Sequence, residues 1–160
     1  MGSKLRPPQH SHGLAEVRRS CYQDVISLED RLRPADLLEI KAAGTNARDG
    51  LTDCLLSSSK AFTVTLDGKP IAIFGVSPIA LQGLSVGALW MMGTPDIESI
   101  KFQFLRESRK WLGEVSEGYD LLTNFVHANN ELHIKWLRWL GVSIIRRQPP
   151  FLEFALICAT

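Results

Sequence analysis

The dipeptide Asp67-Gly68 stands between two runs rich in β-formers, Ala61 to Leu66 and Pro70 to Val76. An Asp-Gly pair in that setting predicts a tight antiparallel hairpin, because the turn demands positive φ and glycine accepts it without steric cost. The middle of the chain is thereby committed to antiparallel sheet. Val86 to Met92 is a third apolar run, short and bounded by glycines, and reads as a buried strand rather than a helix.

Helical patterns flank this centre. Thr94-Pro95 opens the clearest one: Thr can cap the first amides and Pro suits the first helical position. Ile97, Lys101, Phe104, Leu105, Ser108 and Leu112 then recur at helical spacing, with Gly113 or Gly118 as the stop. Tyr119 to His127 reads as a buried strand. Asn130 caps a helix running through Leu140, which Gly141 ends. Val142 to Ile145 and Leu152 to Cys158 are closing strands around Gln148-Pro149-Pro150. Upstream, the alternation in Leu14 to Val25 suggests a strand. Leu28 to Ala43 reads as a helix in which Pro34 marks a start and Leu37, Leu38 and Ile40 supply the apolar stripe. Ala47 to Leu56 is a second, shorter helix. The order is strand, two helices, hairpin, strand, long helix, strand, helix, strands. That order predicts an α/β (α+β) protein with a central, mixed, mostly antiparallel sheet flanked by helices. The 160 residues suffice for one core, assigned to a domain over residues 14–160 behind a polar, flexible leader over residues 1–13.

Charge narrows the function classes. The formal net charge is +1, so nothing global directs the chain to nucleic acid or an anionic membrane. Lys101, Arg106, Arg109, Lys110, Lys135, Arg138, Arg146 and Arg147 fall in the C-terminal half with Trp136 and Trp139 nearby, but Glu98, Glu107 and Glu114 interleave with them as on solvated helix faces. The two tryptophans, three residues apart, share a helical face and are the expected protein-contact residues. The three cysteines, Cys21, Cys54 and Cys158, are far apart and show no zinc-ligand spacing, so no metal site and no disulfide framework is expected. No apolar run reaches the ~20 residues of a membrane span. The leader lacks the apolar segment of a signal peptide, and Arg6 stands where a myristoylation motif needs Ser or Thr. The setting expected is cytoplasmic.

The stretch Asn130-Glu131-Leu132-His133-Ile134-Lys135-Trp136-Leu137-Arg138-Trp139-Leu140-Gly141-Val142 resembles the helix signature of GNAT-type acyl-CoA N-acyltransferases, an Asn, a helix with an aromatic position, then Leu-Gly-Phe. A narrower resemblance spans nearly the whole chain. Leu37-Leu38-Glu39-Ile40, Asp67-Gly68-Lys69-Pro70-Ile71-Ala72, Leu89-Trp90-Met91-Met92-Gly93-Thr94 and Leu122-Thr123-Asn124-Phe125-Val126 are similar to the internal virion protein A family of short-tailed phages. That resemblance implies a GNAT-like bacteriophage protein of virion assembly, in the host cytoplasm or the particle, contacting phage or host proteins.

The GNAT resemblance also implies acetyl-CoA, held at its pyrophosphate by backbone N–H groups of a glycine-rich turn at a helix N-terminus. Gly93, Thr94 and Asn130 are the residues that would contact it. The junction Met91-Met92-Gly93-Thr94-Pro95-Asp96-Ile97 departs from the family's Arg/Gln-x-x-Gly-x-Gly/Ala pattern. It has one glycine, a proline without N–H, and an acid at the anion-binding end. Where many GNAT enzymes carry a Tyr acid, seven residues after the Asn, stands Leu137. His127, at a strand end, is the candidate general base, set against a histidine satisfied by nearby backbone. Asn124, inside an apolar strand, needs a buried partner, either a bridge to neighbouring structure or a ligand. The expectation is a GNAT-fold protein without efficient acetyl transfer and with no cofactor. Two alternatives stand beside it: an active acetyl-CoA-dependent N-acetyltransferase modifying a host or phage protein, and a host-directed inhibitor using the scaffold as a binding surface. An open V between the third and fourth strands, lined by free N–H groups, would favour the enzyme. A cleft filled by Trp90, Met91 or Met92 would oppose it.

Overall fold

The computed structural model describes residues 15–158; the leader expected over residues 1–13 lies outside them. The Asp67-Gly68 hairpin forms as the turn chemistry requires. Asp67 and Gly68 have φ of 52° and 78° and join β2 (Lys60–Leu66) to β3 (Lys69–Ile79). β1 (Ala15–Arg19) lies antiparallel on the far side of β2, and β4 (Val86–Gly93) lies antiparallel to β3. β5 (Leu121–His127) then pairs parallel with β4, and the hairpin of β6 (Ser143–Gln148) and β7 (Phe151–Ile157) completes the sheet through β7. The seven strands lie in the order β1-β2-β3-β4-β5-β7-β6. The sheet is mixed and mostly antiparallel, flanked by helices, as the sequence predicts.

Helices cover both faces. α1 (Tyr22–Leu28), α2 (Pro34–Ala42) and α3 (Ala47–Ser57) pack Val25, Leu28, Ile40 and Leu51 against Ile73 and Trp90. On the opposite face α4 (Lys101–Ser116) and α5 (Glu131–Trp139) contribute Val115, Trp136 and Leu137 to a core with Phe74, Val76, Leu89, Met91, Leu122 and Phe154. β3 and β4 serve both cores, since successive strand side chains point to opposite faces. Among the described residues, no helix is long and apolar enough to cross a membrane.

The structure departs from the sequence pattern at the upstream helices. The strand expected over Leu14 to Val25 stops at Arg19, and a helix begins at Tyr22. Asp24 causes the change: its carboxylate accepts the Cys21 N–H at 2.9 Å, capping that helix start. The helix expected over Leu28 to Ala43 is shortened: α1 ends at Leu28 and α2 begins only at Pro34. Arg33 precedes Pro34 and adopts an extended ψ of 146°, because the proline ring disfavours helical backbone in the residue before it. The apolar stripe expected for α2 holds only at Ile40. Leu37 and Leu38 are exposed, whereas Asp36 and Ile40 are buried. At Thr94-Pro95 a 3-10 segment, Pro95–Ile100, precedes α4, and Gly118, at φ 86°, follows the helix end.

One junction positions everything below. β4 and β5 pair only at Val86↔Leu121, Gly87↔Leu122 and Ala88↔Thr123. Past that point β5 continues to His127 and β4 to Gly93 without pairing, so the strands splay into a V. Gly87 sits at its base, where a Cβ would come within 2.4 Å of Val76 Cγ2 and 3.0 Å of the Tyr119 ring. The close approach excludes a side chain there. Asn124 spans the first step of the opening. Its Nδ2 donates to Leu89 O at 3.0 Å and its Oδ1 accepts the Phe125 N–H at 2.8 Å. The half-buried asparagine is thus satisfied by bridging the strands it separates.

Candidate functional site in the splayed cleft

The V opens into a cavity of about 810 Å³ lined by Glu39, Trp90, Met91, Asn124, Phe125 and His133, among others. Trp90 and Met91 belong to the walls and do not fill it. The Thr94 N–H donates to Ile71 O at 2.8 Å, which sets the parity of the β3–β4 ladder. Hydrogen-bonding direction alternates along an antiparallel strand, so the N–H groups of Met91 and Gly93 face the V.

At Gly93 that donor is already taken. Asp36, from α2, accepts the Gly93 N–H through Oδ2 at 2.9 Å. Arg33 closes the arrangement from the same segment: its N–H donates to Gly93 O at 2.8 Å, and its guanidinium forks onto Asp36 at 3.0 and 2.9 Å. Both side chains of this ion pair are buried. The turn after β4 therefore offers no spare donor in its first three residues. Gly93 is bound by a carboxylate, Thr94 by a strand carbonyl, and Pro95 has no N–H. The Thr94 hydroxyl turns to Asp96 Oδ2 at 3.4 Å. Thr94 is 1% exposed, so its contact with a bound cofactor would require this turn to reopen.

One turn along α2, Glu39 reaches the other arm of the V. Its Oε1 accepts the backbone N–H of His127 at 2.9 Å and Asn130 Nδ2 at 3.0 Å. Asn130 caps α5, accepting the His133 N–H at 3.4 Å, and its amide also reaches Asp36 Oδ1 at 3.4 Å. The cap read from the sequence is present. The same side chain ties α5 to two carboxylates of α2. A ring nitrogen of His133 and carboxylate oxygens of Asp36 and Glu39 lie within 4.8 Å of one another. Burial raises the Asp36 and Glu39 carboxyls above their usual range, against the pull of their hydrogen-bond donors. Burial, helped by the Arg33 charge, lowers His133 to about 3, so its imidazole is neutral at physiological pH.

The residues singled out by sequence meet different fates. His127 lies beside the cleft through its backbone, but its Nδ1 accepts the Asn129 N–H at 3.1 Å and its ring packs edge-on to Phe151. This is the histidine satisfied by nearby backbone. Leu137, at the position of the GNAT acid, is fully buried in the apolar core. Trp136 and Trp139 part company. Trp136 is 7% exposed, packed against Phe104 and His133, whereas Trp139 is 45% exposed under the Arg109 guanidinium. Trp136 is thus removed from the expected contact surface, because the narrow apolar stripe of α5 takes it inward. The sequence pattern gives no role to Asp36, Glu39 or Arg33, and places His133 only within the α5 stretch. The signal available was the i,i+3 spacing of Asp36 and Glu39, masked by the adjacent leucines.

No family model and no curated protein matches the sequence. Solved structures do match its fold. The PaiA N-acetyltransferase of Thermoplasma acidophilum, solved in complex with coenzyme A, superposes with a TM-score of 0.64 at 13% identity, covering 91% of this chain and 99% of that one. The ribosomal-protein-S18-alanine N-acetyltransferase of Escherichia coli gives 0.64 at 15% identity, over 92% and 96%. Ard1 of Thermoplasma volcanium gives 0.66 at 10% identity, over 91% and 99%. At these identities the likeness is one of architecture, and with the strand order and the splay between β4 and β5 it assigns this chain the GNAT acetyltransferase fold.

Proposed function

We propose that this chain is a GNAT-fold scaffold of a phage, acting in virion assembly or as a virion component through contacts with phage or host proteins, without efficient acetyl transfer. The observation that carries the loss of transfer is the Asp36 carboxylate on the Gly93 N–H at 2.9 Å. An acyl-CoA pyrophosphate seeks backbone donors at this turn, and here it meets a buried anion. Leu137 in place of a proton donor points the same way. The phage role rests on the order of the four sequence stretches that resemble internal virion protein A. Trp139, half exposed at the end of α5, is the one of the two tryptophans left available for a partner.

The rival reading, an N-acetyltransferase acting on a host or phage protein, draws on one observation, the open cleft beside the Met91 N–H. Calorimetric titration of the full chain with acetyl-CoA separates the two. No heat of binding is expected at micromolar ligand, and no acetylation of peptide amines. Micromolar binding together with acetyl transfer would overturn the scaffold reading. Mass spectrometry of purified particles tests the virion role: the chain should be found in them or in assembly intermediates. Its recovery only with a soluble host protein would instead favour a host-directed inhibitor.

A further inference from the structure

We propose that the cleft contains a binding site for one divalent transition-metal ion of the zinc class, with His133, Asp36 and Glu39 as its protein ligands. The inference does not depend on whether the chain transfers acyl groups.

Two independent observations converge. The first is the donor set: one imidazole nitrogen and two carboxylate oxygens, brought within 4.8 Å from α2 and α5. One imidazole with two carboxylates suits a borderline ion of the zinc class, whereas calcium takes six to eight oxygens and magnesium a near-octahedral oxygen shell. The second is an unpartnered group. His133 is 4% exposed, and its Nδ1 is buried with no hydrogen-bond partner among the described residues. Native interiors rarely leave such an atom without a partner, and a neutral imidazole is the form that ligates a metal.

The surroundings fit. Glu39 Oε1 is held by the His127 N–H and the Asn130 amide, while Oε2 takes no hydrogen bond among the described residues. Asp36 is oriented by the Arg33 fork. Such outer contacts aim ligands in metal sites. Each Asp36 oxygen accepts two hydrogen bonds, Oδ1 from Arg33 and Asn130 and Oδ2 from Arg33 and Gly93; the longest of them, the 3.4 Å contact from Asn130 to Oδ1, is the one to yield to an ion. Ligand bonds of about 2.0–2.2 Å place ligand atoms roughly 3.5 Å apart, so the three groups would close by up to about 1.3 Å. Two carboxylates against one guanidinium leave a net negative charge when ionised, which favours a dication. Glu39 and His133 both line the cavity of about 810 Å³, so an ion can reach these two ligands from it.

The test uses the full chain with His10 and His12 changed to Ala, because imidazoles in the leader would compete for the ion. After chelator treatment, calorimetric titration with Zn²⁺ should show one ion per chain at micromolar affinity or tighter. Glu39→Gln and His133→Ala should each weaken it about 10-fold or more. Should either variant unfold, X-ray absorption on the zinc-loaded parent still decides: nitrogen and oxygen neighbours with no sulfur are expected. Absence of stoichiometric zinc uptake by the parent, a sulfur-containing shell, or affinity unchanged in both folded variants would each overturn the assignment.

Discussion

The carboxylate of Asp36 accepts the backbone N–H of Gly93 at 2.9 Å, and this contact ties the start of α2 to the end of β4. It also binds the donor that an anion would seek at this turn. Asp36→Ala should remove the contact and leave the buried Arg33 guanidinium without its partner. Loss of one member of a buried pair costs about 3–5 kcal/mol. The urea midpoint should fall accordingly, and Asp36→Asn, which keeps an acceptor for Gly93, should fall less.

Asp24 gives the acid limb of stability. Burial pushes its carboxyl up, but the Arg18 guanidinium, the Cys21 N–H and the Thr63 hydroxyl outweigh that and hold it below the ordinary carboxylate range. A folded-state pKa below the unfolded one means stability present above the unfolded value and lost as pH falls through the folded one. Urea midpoints measured from pH 7 down to pH 2.5 should therefore drop in the wild type below about pH 4. In Asp24→Asn the midpoint should start lower and the drop should be shallower.

Trp136 and Trp139 should separate in a stability assay as they do in space. Trp136→Ala empties a core position 7% exposed and should cost about 3–5 kcal/mol. Trp139→Ala removes a hydrogen bond to Leu105 O at 3.0 Å and the stacking of Arg109, worth about 1–2 kcal/mol together. Denaturant melts of the two variants check the ranking; equal losses would contradict it.

Gly75 in β3 leaves no room for a methyl group. A Cβ there would lie 2.5 Å from Lys60 O and 3.0 Å from the Trp90 ring. Since one of these is backbone, relief requires β2 to move. Gly75→Ala should destabilise by about 1–3 kcal/mol, read from the same melts.

The cysteines should differ in reactivity. Burial, with the Asp53 charge, pushes the Cys54 thiol up to about 11, whereas Cys21 is exposed. Only thiolate reacts. Iodoacetamide at pH 8 should label Cys21 before Cys54, as peptide mapping would show.

Much of the architecture was legible without coordinates. Asp67-Gly68 specified its hairpin, because positive φ at a two-residue turn is a property of the residues in it. Asn130 and Gly141 bounded α5 for the same local reason. The breaks at Cys21 and Arg33 are local as well, set by Asp24 and Pro34, but the facing of α2 depends on a distant group. Leu37 and Leu38 look like an inward stripe, yet α2 turns Asp36 inward because Arg33 and Gly93 satisfy it there.

The sequence alone therefore determined the Asp67-Gly68 hairpin, the order of strands and helices downstream of it and the bounds of α5, all of which follow from residue type and spacing. The tertiary structure decided the rest. Pairing of β4 with β5 stops after Ala88 and Thr123, which opens the V. Asp36 and Glu39 then meet Gly93, His127, Asn130 and His133 across 57 to 97 residues of chain. Periodicity reports how a segment presents its own side chains to a core. Which buried polar groups become partners depends on how helices and strands pack, and that packing brings the carboxylates of α2 into the cleft.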